Sequence, residues 1–230
     1  ALPYNIPVIH FYGGAVTLGA TDELVRHAIT KMSHYHFVLL PDYKKRVLQL
    51  GEEKWRVKSI GMHELNYLKN VDLLKKEDLN KIFKFDFNKP FILTTFHPVT
   101  LELKKIKFYL QSLFKAIKDS KLNTVITYPN ADPKHKEIIN FIKKNFTEKN
   151  KYLVIKNCGK NFYSSLLKYS SFLLGNSSSG IVEAATFKIP AVNVGTRQDG
   201  KYKPLNVIDS GYSKKQILKA INLAKSKKFK

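Results

Sequence analysis

The chain is poor in cysteine, arginine, acidic residues and long apolar runs, and each shortage excludes a class of protein. A single cysteine, Cys158, in 230 residues cannot form an internal disulfide. That excludes a disulfide-built secreted scaffold and a cysteine-rich zinc site, and fits a reducing cytoplasm. Apolar runs such as Phe172-Leu-Leu174 fall far short of the roughly 20 residues a membrane span needs, so no membrane partner is expected. The N-terminus lacks the basic, apolar and small-residue zones of a signal peptide. It starts at Ala1 and enters a strand-like run almost at once, as a piece of something longer would.

What is present is enough to fold. Hydrophobic residues make up 43% of the chain, which excludes intrinsic disorder, and the length fits one large domain or two small ones. Forty Lys and Arg against 18 Asp and Glu give a formal net charge of +22. Only Arg26, Arg46, Arg56 and Arg197 are arginines. Nucleic-acid binders exploit the guanidinium fork for base and phosphate contacts. Here lysine is spread along most segments with no nucleic-acid-binding motif, so the charge reads as a solvated surface and no specific nucleic-acid partner is expected.

Strand-like and helix-like segments alternate. Strands are expected at Ile6–Phe11, His36–Leu40 and Arg56–Ile60, with helices at Thr21–Lys31, carrying Leu24, Ala28 and Ile29 on one face, and at Asp42–Leu50. A charged stretch from Lys69 to Lys89, helical in its middle, reads as a linker. The alternation then restarts. Strands are expected at Phe91–Phe96, Thr124–Tyr128, Tyr152–Ile155, Phe172–Leu174 and Ala191–Val194. Helices are expected at Leu101–Lys118, Pro133–Asn145, Asn161–Lys168, Ile181–Phe187 and Ser213–Ala224. This is the pattern of βαβ units and parallel sheets. Ligands on such sheets sit beyond the carboxyl ends of the strands, which singles out the loops after Phe11, Phe96, Tyr128, Leu174 and Val194.

Four of these loops carry chemistry. Gly175-Asn-Ser-Ser-Ser-Gly180 joins a buried strand to a helix start, where free N–H groups and hydroxyls suit an anion; an ordinary Ser-rich cap is the plainer reading. Glu183, one turn on, suits sugar hydroxyls. His97 ends a strand before Pro98, where it could donate to a phosphate or shuttle protons. Asp22 and Arg26, at i and i+4 after Gly13-Gly14, read either as a surface ion pair or as a carboxylate acid/base with its partner. Arg197 in Gly195-Thr-Arg-Gln-Asp-Gly200 is a scarce fork-shaped donor at a strand end, suited to a diphosphate or carboxylate. His27 and His36 read as structural, no HExxH is present, and no metal is expected.

Taken in order, these motifs carry a family resemblance. Gly13-Gly14, Thr17, Gly19, Asp22-Glu23, Arg26-His27-Ala-Ile-Thr-Lys31, His97-Pro-Val-Thr100, Tyr128-Pro-Asn-Ala-Asp132, Gly175–Glu183, Gly195–Gly200 and Asn206-Val-Ile208 are similar to UDP-N-acetylglucosamine 2-epimerases. They resemble most the hydrolysing branch of sialic and related nonulosonic acid synthesis. The resemblance implies an α/β fold of doubly wound parallel sheets in a glycosyltransferase-B-like, two-domain architecture. Residues 1–75 would be the C-terminal part of an incomplete first Rossmann-like domain, and 76–230 a second, nucleotide-binding one.

The implied reaction converts UDP-GlcNAc to UDP and ManNAc through a 2-acetamidoglucal, without metal or cofactor; a GDP-linked analogue stays open as substrate. The implied catalytic residues are Asp22, Arg26 and His97, the last on phosphate. Ser178, Ser179 and Gly180 would hold the diphosphate, Glu183 the ribose, and Arg197 would lie beside the serine loop. Phe162 or Tyr163 would lie near the uracil. Members of the family often form dimers or tetramers, but no interface reads out of this sequence. The family places a carboxylate in the Gly-Gly loop, where this chain has Tyr12 before the glycines and Ala15 after them. The family's first βαβ units and its closing helical segment have no counterpart here. A non-catalytic nucleotide-sugar binder is the alternative reading.

Overall fold

The computed structural model describes residues 1–62, 65–226 and 229. Among these residues nine strands fall into two wholly parallel sheets. The first holds β1 (Ile9–Phe11), β2 (Tyr35–Val38) and β3 (Val57–Ser59), in that order, joined through α1 (Asp22–Lys31) and α2 (Pro41–Gln49). The short α3 (Asn66–Lys69) and α4 (Lys76–Phe83) lead into the second sheet.

The second sheet holds β4 (Phe91–Thr95), β5 (Asn123–Thr127), β6 (Tyr152–Ile155), β7 (Phe172–Gly175), β8 (Ala191–Val194) and β9 (Val207–Ser210). Their spatial order is β6-β5-β4-β7-β8-β9. The chain runs outward from β4 through β5 to β6, then returns to β7 on the other side of β4. That reversal is the doubly wound order, with its switch point between β4 and β7. The pair is in register from Ile92↔Phe172 to Thr95↔Gly175.

The inner strands of this sheet are buried on both faces, which explains their mostly apolar sequences. Phe91, Leu93, Val125, Leu173 and Ala191 pack with Leu79 of α4 and with Leu166 and Leu167 of α7 (Gly159–Tyr169). The alternate residues Ile92, Ile126, Phe172, Leu174 and Val192 pack on the other side. Their partners there are α5 (Ile106–Ser120), α6 (His135–Asn145) and α9 (Lys214–Lys225). Ser213 caps α9 in a reciprocal bond pair with Gln216.

Four details depart from the sequence reading. The stretch between Lys69 and Lys89 is more than a linker, because Leu79, Phe85 and Phe87 are core residues of the second sheet. The helix expected over Ile181–Phe187 shrinks to one turn, α8 (Glu183–Thr186), preceded by a 3-10 turn at Ser178–Gly180. The strand β9 was not expected. The apolar face of α1 is uncovered: Leu24 is 78% exposed, Ile29 37%, and Ala28 is exposed too. No described residue forms a layer over it.

The two sheets therefore differ in what holds them. The buried apolar cluster of the first is Val38, Val47 and Val57, supplemented by a polar chain in which Glu52 accepts from Lys31 at 2.6 Å and pairs with His36 at 3.1 Å. Local opening free energy follows buried apolar contact. Amides of β1–β3 are expected to exchange at least about 100-fold faster than those of β4, β5 and β7, equivalent to about 3 kcal/mol of local stability. Hydrogen exchange read by mass spectrometry checks this; equal protection in the two sheets would contradict it.

Candidate functional site

The carboxyl ends of β4, β7 and β8 are tied together by one side chain. Asn176, fully buried, directly follows β7. Its Oδ1 accepts from the His97 backbone N–H at 2.6 Å, and its Nδ2 donates to the His97 carbonyl at 2.9 Å. Its own carbonyl accepts from Gln198 Nε2 at 2.7 Å and from Arg197 at 3.2 Å. Gly175 is required just before it: at φ +142°, a Cβ there would lie 1.9 Å from the Thr95 carbonyl oxygen. The strands can approach this closely only without that atom.

These ties form the floor of a cleft of about 580 Å³ at the switch point. From β4 and β5 come Thr95, His97, Thr127, Tyr128 and Asn130. From beyond β7 come Ser177, Ser178, Ser179, Val182 and Glu183, and from beyond β8 comes Arg197. Ser177 caps the 3-10 turn by accepting from the Ser179 N–H. With so short a turn, and α8 only four residues long, the helix dipole is a minor term here; the serine hydroxyls and the turn's backbone carry the polarity.

His97 is held neutral. Burial, reinforced by the positive charge of Arg197, pushes its imidazole down to about 3. Its Nδ1 accepts from the Asn130 backbone N–H at 3.1 Å, so the ring proton sits on Nε2. A ring in this state donates a fixed hydrogen bond; it does not shuttle protons near neutral pH, and of the two roles read from the sequence the donor survives.

Arg197 is positioned from three sides. It donates to the Asn176 carbonyl and lies 3.7 Å from Asp132. Its neighbour Thr196 is fixed by the Tyr212 hydroxyl at 3.0 Å and by Glu102. Tyr109 stacks on Tyr212 at 3.5 Å between ring centroids and bonds Glu102. Desolvation and the surrounding hydrogen bonds act oppositely on Glu102, and the bonds prevail, holding the carboxyl below its usual range.

A second chamber of about 520 Å³ adjoins the cleft and shares Leu65, Ser178 and Val182 with it. Tyr12, Ala15, Leu39, Leu40 and Tyr43 line it from the first sheet's side, Ile181, Ala185 and Pro204 from the second's, with Arg26 and Lys201 as its charges. The two sheets meet tightly beside it. The Leu18 N–H donates to the Asp199 carbonyl at 2.9 Å, and a Cβ on Gly19 would lie 2.3 Å from the Thr196 carbonyl oxygen.

The site residues read from the sequence fall into three groups. His97, Tyr163, Ser178, Ser179, Glu183 and Arg197 all line the cleft. Burial pushes the Tyr163 phenol up to about 12. Asp22 and Arg26 lie at the seam, but not as a pair: Arg26 bonds Glu23 at 3.1 Å, Thr17 and the Ala15 carbonyl, while Asp22 is exposed and its charge is felt by Arg197 and Lys201. A carboxylate three residues away, already fixed by the Thr17 N–H at 2.6 Å, takes the guanidinium.

Phe162 and Gly180 are not among the cleft's lining. Phe162 packs edge-on to Phe83, and Gly180 is buried where a Cβ would lie 3.1 Å from the Ala191 Cβ. His27 and His36 pair with Glu23 and Glu52. Among the described residues no group of three or more metal-ligating side chains occurs, and no helix is long and apolar enough to cross a membrane.

The sequence reading passed over the segment after β6. Lys156, Asn157, Cys158, Gly159 and Lys160 line the cleft; the strand-end rule that found the other loops would have found this one. It also passed over Tyr67, which reaches the cleft from α3 and stands 5.1 Å from the Lys160 ammonium.

Two outcomes test this geometry. Asn176→Ala leaves two buried His97 backbone groups unpaired, at about 1–3 kcal/mol each. Urea denaturation is expected to show a loss of about 2–5 kcal/mol. The depressed imidazole of His97 has a signed consequence. From its ordinary 6.5 down toward about 3, the unfolded chain binds a proton that the folded chain refuses, so stability falls as pH drops below about 6.5. His97→Gln is expected to flatten that slope in denaturation curves between pH 7 and 4.

Comparison with known proteins shows the family. The family model for UDP-N-acetylglucosamine 2-epimerase matches residues 1–230. A GDP/UDP-N,N'-diacetylbacillosamine 2-epimerase (hydrolyzing) from Campylobacter jejuni is 41% identical over 229 residues, covering 98% of this chain and 59% of the relative. A UDP-N,N'-diacetylbacillosamine 2-epimerase (hydrolyzing) from Legionella pneumophila is 34% identical, covering 99% and 60%. The chain thus spans about 60% of the length of these curated relatives. Among solved structures, the Methanocaldococcus jannaschii UDP-GlcNAc 2-epimerase in complex with UDP-GlcNAc and UDP shares the fold. It has a TM-score of 0.78 at 19% identity, covering 99% of this chain and 65% of that one. The Neisseria meningitidis enzyme bound to UDP-GlcNAc gives 0.76 at 18%, covering 99% and 64%. Two parallel α/β units across a cleft form the expected glycosyltransferase-B-like arrangement, present here in part, and the chain belongs to the UDP-N-acetylglucosamine 2-epimerase family.

Proposed function

We propose that this chain carries the nucleotide-binding half, and part of the opposing half, of a hydrolysing 2-epimerase acting on a nucleotide-linked N-acetylated amino sugar. The observation that carries the reading is the switch-point cleft, where two serines, a neutral imidazole donor and Arg197 face one space. Those are donors for a diphosphate. Ser178 and Ser179 hold its oxygens, Nε2–H of His97 donates to one, and Arg197 offsets its charge. Glu183 accepts from the ribose, and Tyr163 with the Lys156–Lys160 segment borders the base. Residues 1–75 supply the first-domain wall and 76–230 the nucleotide domain. UDP is the nucleotide of choice, with GDP open, as in the name of the Campylobacter relative.

The reaction proposed is loss of the C2 proton with departure of UDP from C1, then addition of water to the glycal, so that the enzyme is at once hydrolase and isomerase. A relative named as a polysialic acid biosynthesis protein, 35% identical, supports a role in sialic or related acid synthesis. A lone thiol suits the cytoplasm as its place. Assembly into a homo-oligomer is part of the proposal.

One observation favours a second reading, a binder without turnover. Ala15 stands in the Gly-Gly loop, and among the described residues the lining of the second chamber holds no Asp, Glu or His. Following anomeric protons by NMR during incubation with UDP-GlcNAc separates the two. The epimerase reading expects UDP and ManNAc to accumulate at an enzymatic rate; binding of UDP without release of free sugar supports the binder. Failure to bind UDP at all would contradict both.

A further inference from the structure

Lys201 is a cation at the seam that has no ion-pair partner among the described residues. Its backbone N–H donates to the Gln198 carbonyl at 3.3 Å. The preceding Gly200 lies so close to the first sheet's side that a Cβ there would come within 2.3 Å of Val16 Cγ1. The loop therefore delivers the ammonium to the seam, into the second chamber, where it shares the lining with Arg26 and with Ser178, the serine common to both cavities.

The neighbouring cations are already engaged. Arg197 is held by Asp132 and the Asn176 carbonyl. Arg26 is held by Glu23, Thr17 and the Ala15 carbonyl. Lys203 is held by Asp199 and Asp209. Among the described residues Lys201 Nζ has no such partner. The charges acting on it among the described residues are Arg197 on its own loop and Arg26 and Asp22 from α1; the phenols Tyr12, Tyr43 and Tyr202 and the hydroxyls of Ser178 and Thr186 also line its chamber. Two positive charges against one negative, in a mostly apolar chamber, make a poor home for an unpaired ammonium and a good one for an anion.

We propose that Lys201 binds the sugar-linked phosphate of the nucleotide, approaching from the seam side of Ser178. This rests on the nucleotide-sugar reading and deepens it, since it names the group that meets the leaving diphosphate. When the sugar C1–O bond breaks, its electron pair goes to that phosphate oxygen; Lys201 supplies charge there and transfers no proton.

A thermodynamic consequence makes the idea measurable. In the empty site burial, then Arg197 and Arg26, push the ammonium down to about 8, with Asp22 opposing. A bound diphosphate favours the charged form, so binding at pH 8 draws in a proton, about half of one per site.

The test is calorimetry of the full chain with UDP and with uridine at pH 8, in buffers of different ionisation heat, where UDP itself is fully ionised. The wild type is expected to take up protons with UDP and none with uridine. Lys201→Arg keeps UDP affinity within about 3-fold and loses the uptake. Lys201→Met, checked for folding by its melting curve, loses the uptake and about 10–100-fold in UDP affinity, with uridine unchanged. Proton uptake persisting in Lys201→Met, or unchanged UDP affinity there, overturns the role of Lys201 while leaving the cleft reading standing. A wild type that binds neither UDP nor uridine overturns the cleft reading, and this inference falls with it.

Discussion

The buried carboxamide of Asn176 is the constraint on which the site depends. A doubly wound sheet opens a crevice at its switch point because the chain leaves β4 and β7 in opposite directions. An open crevice has loose walls unless something ties them. Here the tie is made from the strand ends themselves: Asn176 holds both backbone groups of His97 and, through its carbonyl, Gln198 and Arg197. The loops after β4, β7 and β8 thus share one anchor, and the glycine before it allows the approach. Buried polar groups of this kind are stable only when fully paired, and once paired they fix geometry.

From that anchor follows a division of labour among the charges. His97 is kept neutral by desolvation and by Arg197, so it offers direction rather than charge. Arg197 is countered by Asp132 at 3.7 Å and by the more distant charge of Asp22, and so retains attraction for an anion. Lys201 stands at the seam with no ion-pair partner among the described residues and only the more distant charge of Asp22 opposing its own. The lysines spread over the surface are a different matter: they raise the general potential, but nothing orients them. A net charge of +22 is thus a weak guide to this protein, while two placed cations, Arg197 and Lys201, are a strong one.

Much of the second sheet was legible in the sequence, because its inner strands β4, β5, β7 and β8 are mostly apolar and buried and its long helices are amphipathic; β9, with Asp209 exposed, was not. The first sheet was less so. Leu24 and Ile29 have the spacing of a buried stripe, yet lie exposed because spacing reports a face and not what covers it. In the site, strand-end logic located His97, Ser178, Ser179, Glu183 and Arg197. It could not tell Phe162 from Tyr163, which are adjacent on one helix and differ only in which way the turn faces. Nor could it show that Arg26 would choose Glu23 over Asp22, since both are within one turn. Asn176 and Gln198 stood inside the motifs but had no assigned role, because their partners are 79 and 22 residues away in the chain.

The central claim is that the nucleotide diphosphate sits on the anchored ends of β4, β7 and β8. The most direct measurement is an amide NMR map of the chain with and without UDP. The account predicts shifts concentrated at His97, Asn176–Ser179, Arg197 and the Lys156–Lys160 segment, with the strands of the first sheet little changed. Shifts scattered over the lysine-rich surface, or confined to the first sheet, would contradict it.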